Sequence, residues 1–166
     1  GHLTPDCADA RIILWGTASG NWVADRPGRR LAELGVDIIL NPSASHFAFD
    51  KQSIRKRFVL DGSRAFGVTY VYANQLGNES GRIIFDGGTL IASAGELVAA
   101  GPRFSFGEVE LTHAPVDIEK TRMQRAKLAS YDPDPTAAER AVVEIPFTCP
   151  EPEPAVPAID EPAWMG

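Results

Sequence analysis

The chain has 166 residues, enough for one ordinary domain or a large part of a bigger one, and its 44% hydrophobic content excludes wholesale disorder. With 16 basic against 22 acidic residues the net charge is −6, the opposite of the basic stripe that nucleic-acid binding requires. The longest apolar runs, Ile12–Trp15 and Val36–Leu40, are too short to cross a bilayer, and no signal-peptide pattern opens the chain.

Cys7 and Cys149 stand near opposite ends and fit no zinc-type spacing, so a disulfide framework or metal site is not expected, and a cytoplasmic setting fits. The histidines His2, His46 and His113 are scattered, which adds no ligand set. Ten of the 13 prolines follow residue 100, five of them within Pro150–Pro162, marking where globular character fades.

In chain order, residues 10–16 read as a short buried strand ended by Gly16, and Thr17–Asp25 as a loop holding Trp22. Arg29–Leu34 is a short helix with Gly35 as its stop. Val36–Leu40 is apolar enough for a strand covered on both faces. Asn41–Asp50 (Asn-Pro-Ser-Ala-Ser-His-Phe-Ala-Phe-Asp) is a polar loop at a strand's carboxyl end, where α/β proteins gather ligand sites. The spacing predicts a helix over Lys51–Phe66, with Ile54, Phe58, Val59, Gly62, Ala65 and Phe66 inward and Arg55, Arg57, Asp61 and Arg64 in water. Gly67 ends it.

Val68–Ala73 is rich in β-branched and aromatic residues and reads as a strand. Gln75–Gly81 reads as a polar loop. Arg82–Phe85 and Thr89–Ser93 look like paired strands around an Asp86-Gly87-Gly88 turn, for which an anion nest is the lesser reading. Leu97–Ala100 is a further strand, and the alternation of Phe106–Leu111 suggests a half-exposed one. Ile118–Ser130 reads as a helix capped by Asp117, Val142–Phe147 as a segment able to pair with another chain or domain, and the region after Cys149 as an extended charged linker. This order of elements is that of an α/β layered protein.

Four motifs occur in fixed order: Asn41-Pro-Ser-Ala-Ser-His-Phe47, Lys51, Tyr70-Val-Tyr-Ala-Asn74 with Gly77, and Phe85-Asp-Gly-Gly-Thr-Leu-Ile91. Together they resemble the nitrilase-like (carbon–nitrogen hydrolase) glutaminase domain of glutamine-dependent NAD synthetases, over about Trp22 to Ser130. The resemblance implies a four-layer α-β-β-α sandwich, of which this chain would supply the C-terminal half, with residues 1–130 in the glutaminase domain and 131–166 as an extended linker toward a synthetase domain. It also implies amide hydrolysis by a glutamate general base, an oxyanion-stabilising lysine and a cysteine nucleophile. The glutamate and lysine belong to the first half of such a domain, outside the matched part.

The nucleophile should precede two acidic residues, one further position and a tryptophan. Counting back from Trp22, that position is Ala18, followed by Ser19 and Gly20. An alanine has no nucleophile, so the chain alone is expected to be inactive, as a fragment or degenerate copy of the glutaminase domain. Cys7 stands eleven residues too early to substitute. Ser19 lacks the glycine two positions before it that a nucleophile elbow needs. By the same resemblance Ser45 and Lys51 match the loop that contacts glutamine, Lys51 as a carboxylate partner and Ser45 as a hydrogen-bonding group. Asp50 departs from the small residue expected before the basic position. Without the resemblance, Ser45 is a helix-entry polar group and Lys51 a solvated first-turn lysine.

His46 reads as a loop or core histidine, and Trp22, Tyr70 and Tyr72 as packing groups. This domain calls for no cofactor or metal; ATP and magnesium would belong to a separate synthetase domain. Expected partners are glutamine and either a second copy, the first half of the domain or a synthetase domain. The alternatives are a non-catalytic oligomerisation or partner-binding module of the same fold, or another carbon–nitrogen hydrolase (amidase).

Overall fold

The computed structural model describes residues 12–14, 27–79 and 81–127. A parallel run of strands opens the main sheet: β1 (Ile12–Leu14), β2 (Ile38–Ser43) and β3 (Thr69–Asn74). Two antiparallel strands, β6 (Thr89–Ser93) and β7 (Glu96–Ala100), extend it on the β3 side, giving the order β1-β2-β3-β6-β7. A separate two-stranded ribbon joins β4 (Leu76–Glu79) to β5 (Ile83–Asp86). Helices α1 (Pro27–Glu33) and α2 (Lys51–Phe66) make the parallel crossovers, and α3 (Ile118–Ala126) follows the last strand.

The core lies between α2 and one face of the sheet. Ile39, Val59, Val68, Tyr70, Tyr72, Leu90, Ala92 and Ala100 are buried together, with Leu31 and Leu34 of the α1 region packed against them. On the opposite face Ile38, Leu40 and Val71 are only partly buried, while Ile91 and Ala99, in register with Val71, are buried. β2 therefore alternates in burial instead of being covered on both sides.

Helix α2 shows how charge placement overrides simple periodicity. Its start and its Gly67 stop agree with the sequence pattern, but its inward face is Gln52, Arg55, Val59, Gly62 and Ser63. Ile54 and Ala65, expected inside, are exposed, and Arg55, expected in water, is buried. The turn of the helix is fixed by Arg55, whose ion pair with buried Asp86 would otherwise be broken. Ser63 adds a second tie by accepting the Gly95 backbone N–H at 2.9 Å. Gly67 adopts φ +61, and a Cβ there would meet Cβ of Arg125 at 2.7 Å, so only glycine fits both the cap and the α3 contact.

Three further expectations are corrected. The stretch read as a polar loop contains β4. β5 pairs with β4 instead of forming a hairpin with β6, because both edges of β6 are already taken by β3 and β7. Phe106–Leu111 forms no strand; Ser105 bonds instead to the Gly107 N–H and to Glu110, and Phe106, Val109 and Leu111 are exposed. Asp117 caps α3 as expected, accepting the Lys120 N–H at 3.0 Å, though the helix ends at Ala126. Its inner end is held by Asp37, whose carboxylate receives Arg122 at 2.8 Å and Arg125 at 3.3 Å. No helix among the described residues is long and apolar enough to cross a membrane. Ala18, Cys7, Trp22, the Val142–Phe147 segment and the linker after residue 130 lie outside the described residues.

Candidate functional site

The polar loop leaves β2 at Ser43 and enters α2 at Lys51, so it caps the carboxyl ends of the parallel strands β2 and β3. Parallel strands place their last carbonyls and the following loops on one rim, which is why a ligand-binding loop is favoured there. Side chains below the rim form a polar layer on top of the apolar core. Asn41, fully buried, donates to the Tyr70 hydroxyl at 2.9 Å and accepts from Ser43 Oγ at 3.1 Å. Tyr72 donates to Asn74 Oδ1 at 3.3 Å. Both tyrosine rings are core packing groups, as expected, with their hydroxyls serving this layer.

Asn74 then grips the loop itself. Its Oδ1 accepts the Ser45 N–H at 2.8 Å, and its Nδ2 donates to the Ser45 carbonyl at 2.9 Å. The same Nδ2 reaches Asp86 Oδ1 at 2.9 Å. Asp86, read from sequence as a turn residue, is 1% exposed and is the centre of the site. Arg55 Nη1 donates to both its carboxylate oxygens at 2.8 and 2.7 Å, and Arg103 Nε donates to Oδ2 at 3.1 Å. The second guanidinium nitrogen of Arg55 donates to the carbonyls of Ser45 at 2.8 Å and His46 at 3.1 Å. One buried carboxylate thus faces two guanidiniums, and the hub is net positive even before Lys51 is counted.

The two sequence-predicted residues meet at this hub. Ser45 is half-buried and held by its main chain, which leaves the side chain out of those contacts. Lys51 donates from Nζ to the His46 carbonyl at 2.9 Å. Partial burial lowers the Lys51 pKa from the ordinary lysine value, Arg55 lowers it further, and Asp86 opposes them. Burial raises the Tyr72 pKa, against the lowering effects of Arg55 and the hydroxyls of Ser43 and Ser45. His46 contributes only its carbonyl, and its residue is exposed. Among the described residues no group of histidine, cysteine and carboxylate side chains is arranged to hold a metal ion.

The sequence assigns no such role to Arg55 or Arg103, and Asn74 and Asp86 enter it only as motif and turn residues. The available signal was a lone acid at the end of a strand, between Phe85 and two glycines, with an arginine one helical turn after Lys51. Chemically the arrangement offers a rigid, electropositive rim with hydroxyl donors, suited to a small polar ligand bearing a carboxylate.

No family model matches the chain. The glutamine-dependent NAD(+) synthetase of Saccharomyces cerevisiae is 39% identical over 105 residues, covering 63% of this chain and 15% of that protein. A carbon–nitrogen hydrolase structure from Helicobacter pylori superposes with TM-score 0.57 at 23% identity, over 70% of this chain and 43% of that one, and speaks to fold alone. The glutamine-dependent NAD(+) synthetase structure from Cytophaga hutchinsonii gives TM-score 0.50 with 46% identity, over 60% of this chain and 15% of that chain.

The fold is therefore nitrilase-like, a mixed α/β arrangement consistent with an incomplete sandwich. The chain's homologues are glutamine-dependent NAD(+) synthetases, and its partial coverage fits a fragment of the glutaminase domain. Its matches span 13% to 20% of the length of these curated synthetases.

Proposed function

We propose that this chain carries the glutamine-binding rim of a glutaminase domain and does not itself hydrolyse the amide. Ser45 and Lys51 are the substrate-contacting residues: Lys51 pairs with a carboxylate of glutamine and Ser45 offers a hydroxyl to it. The observation that carries this reading is the Asp86 hub, which holds the Ser45–Lys51 loop on the strand ends with two buried guanidiniums. A net positive, pre-organised rim suits an anionic ligand group better than a neutral one.

Absence of turnover follows from position 18. By the spacing to Trp22 and Asn41 the nucleophile position is Ala18, and a methyl group cannot attack an amide carbon. The ammonia made by such a domain would pass to a synthetase domain, which residues 131–166 would tether, and ATP would be used there. A glutaminase assay on the chain should release no ammonia from L-glutamine. Ala18→Cys, combined with an upstream half supplying the glutamate and lysine, should restore release; robust turnover by the unmodified chain would refute the reading.

A second reading has one observation in its favour. Ile38, Leu40 and Val71 form an apolar strip of the sheet face opposite α2 that the described residues cover only partly. A non-catalytic module that pairs through this face, with a second copy or with the first half of a sandwich, would bury it. Sedimentation analysis separates the two, since the second reading requires self-association or a partner while glutamine binding does not.

A further inference from the structure

We propose that Arg55 is a positioning residue for the ligand loop, acting through the main chain of Ser45 and His46, with Asp86 and Asn74 aiming it. The proposal rests on reading that loop as glutamine-binding, and it adds how the loop is kept in shape while its lysine is used.

The first ground is how Arg55 spends its donors. An arginine buried only to neutralise Asp86 would use the fork of Nε and Nη, which matches a carboxylate bidentately. Here Nη1 alone serves both carboxylate oxygens, and Nε has no hydrogen-bond partner. What this geometry gains is Nη2, placed on the carbonyls of Ser45 and His46. The side chain is 5% exposed, so the unpaired Nε is not served by bulk water, and the loop contacts are the compensation.

The second ground is convergence. Asn74 fixes Ser45 through both its N–H and its carbonyl, and Asn74 is oriented by the same Asp86 carboxylate. One acid therefore aims two side chains at one residue of the loop. The Phe47 N–H, which donates to the Ile84 carbonyl at 2.7 Å, pins the far side of the loop to β5, the strand that ends in Asp86.

The third ground is the shared His46 carbonyl. It accepts from both Lys51 and Arg55. When Lys51 turns to a ligand carboxylate, that carbonyl keeps a donor, so releasing the lysine orphans no main-chain acceptor. Arg55 thereby makes Lys51 available without loosening the loop.

The test follows amide hydrogen exchange by NMR on the chain as it stands, with L-glutamine titration and thermal unfolding alongside. Arg55→Met breaks a buried ion pair and raises exchange globally, so the readout is the difference: exchange at the Ser45 and Phe47 amides should rise about tenfold or more beyond the rise at Ile91 and Ala92 of β6, and L-glutamine binding should weaken by about tenfold. Arg55→Lys, which keeps the charge without the fork, should recover part of both effects. Ser45 exchange within about twofold of wild type would overturn the proposal, as would a parallel rise at β6 that marks a purely structural role. If Arg55→Met does not fold, Arg55→Lys serves in its place: exchange at the Ser45 and Phe47 amides should still exceed that of β6, and equal changes at both would overturn the proposal. A wild-type chain that ignores L-glutamine while Arg55→Met still loosens Ser45 selectively would sink the glutamine reading and leave the clamp standing.

Discussion

Asp37 and Asp86 are both 1% exposed, and each is held by two arginines, yet they sit at opposite ends of the sheet and serve different purposes. Asp37 precedes β2 and receives Arg122 and Arg125 from α3, tying a late helix to the amino ends of the strands. Asp86 closes β5 and receives Arg55 and Arg103, one of which continues into the main chain of a loop. At the first end an ion cluster joins element to element. At the second the same chemistry shapes a rim. A buried carboxylate–arginine cluster is thus no sign of a site by itself; what its spare donors touch decides.

That contrast can be broken by removing each acid in turn. Asp86→Ala leaves two guanidiniums buried without their partner, since Arg55 is 5% and Arg103 7% exposed, and should cost about 4 kcal/mol by denaturant unfolding. Asp37→Ala should cost less, about 2 kcal/mol, because Arg122 is 31% exposed and can turn to water. Equal losses would mean that the two clusters do not differ in confinement as the structure shows.

Tyr72 sharpens the comparison from inside the rim. Its phenol is neutral in both states at neutral pH, and burial raises its folded pKa above 10.0. As pH climbs past that value the unfolded chain loses the proton first, so stability falls from there up through the folded pKa. Tyr72→Phe should cost about 1 kcal/mol at pH 7 through the lost bond to Asn74, and should flatten the alkaline decline in urea unfolding. Asp37→Ala, remote from Tyr72, should leave that slope unchanged. The smallest effect belongs to Phe49, which is 89% exposed on the loop: Phe49→Ser should change stability by no more than about 0.5 kcal/mol in thermal unfolding.

Much of the fold could be read from local sequence. The β-branched runs of β2, β3 and β6, the Gly67 stop and the Asp117 cap are set by chemistry within a few residues, and they stand where expected, except that β2 begins at Ile38 and runs on to Ser43 through residues read as loop. The ribbon of β4 and β5 could not be read that way. Asp86-Gly87-Gly88 has the composition of a hairpin turn, and only the competition for the edges of β6 decides against it. At the rim, the nearness of Ser45 and Lys51 was legible because motif order places both between β2 and the first turn of α2. Arg55 was not, because a charged residue on a helix is assigned to water unless its buried partner, 31 positions away, is known. Phe106–Leu111 erred in the opposite direction: its alternation reads as a strand, but the segment turns on Ser105, which bonds the Gly107 N–H and Glu110, and pairs with no described strand although β7 lies at the sheet edge.

Titration of the chain with L-glutamine labelled with nitrogen-15 at the amide, followed by NMR, reads binding and hydrolysis in one sample. The expected result is movement of the Ser45 and Lys51 signals with the amide nitrogen retained in glutamine. Accumulation of labelled ammonium, or saturating glutamine that leaves Ser45 and Lys51 unmoved, would contradict a rim that binds without cleaving.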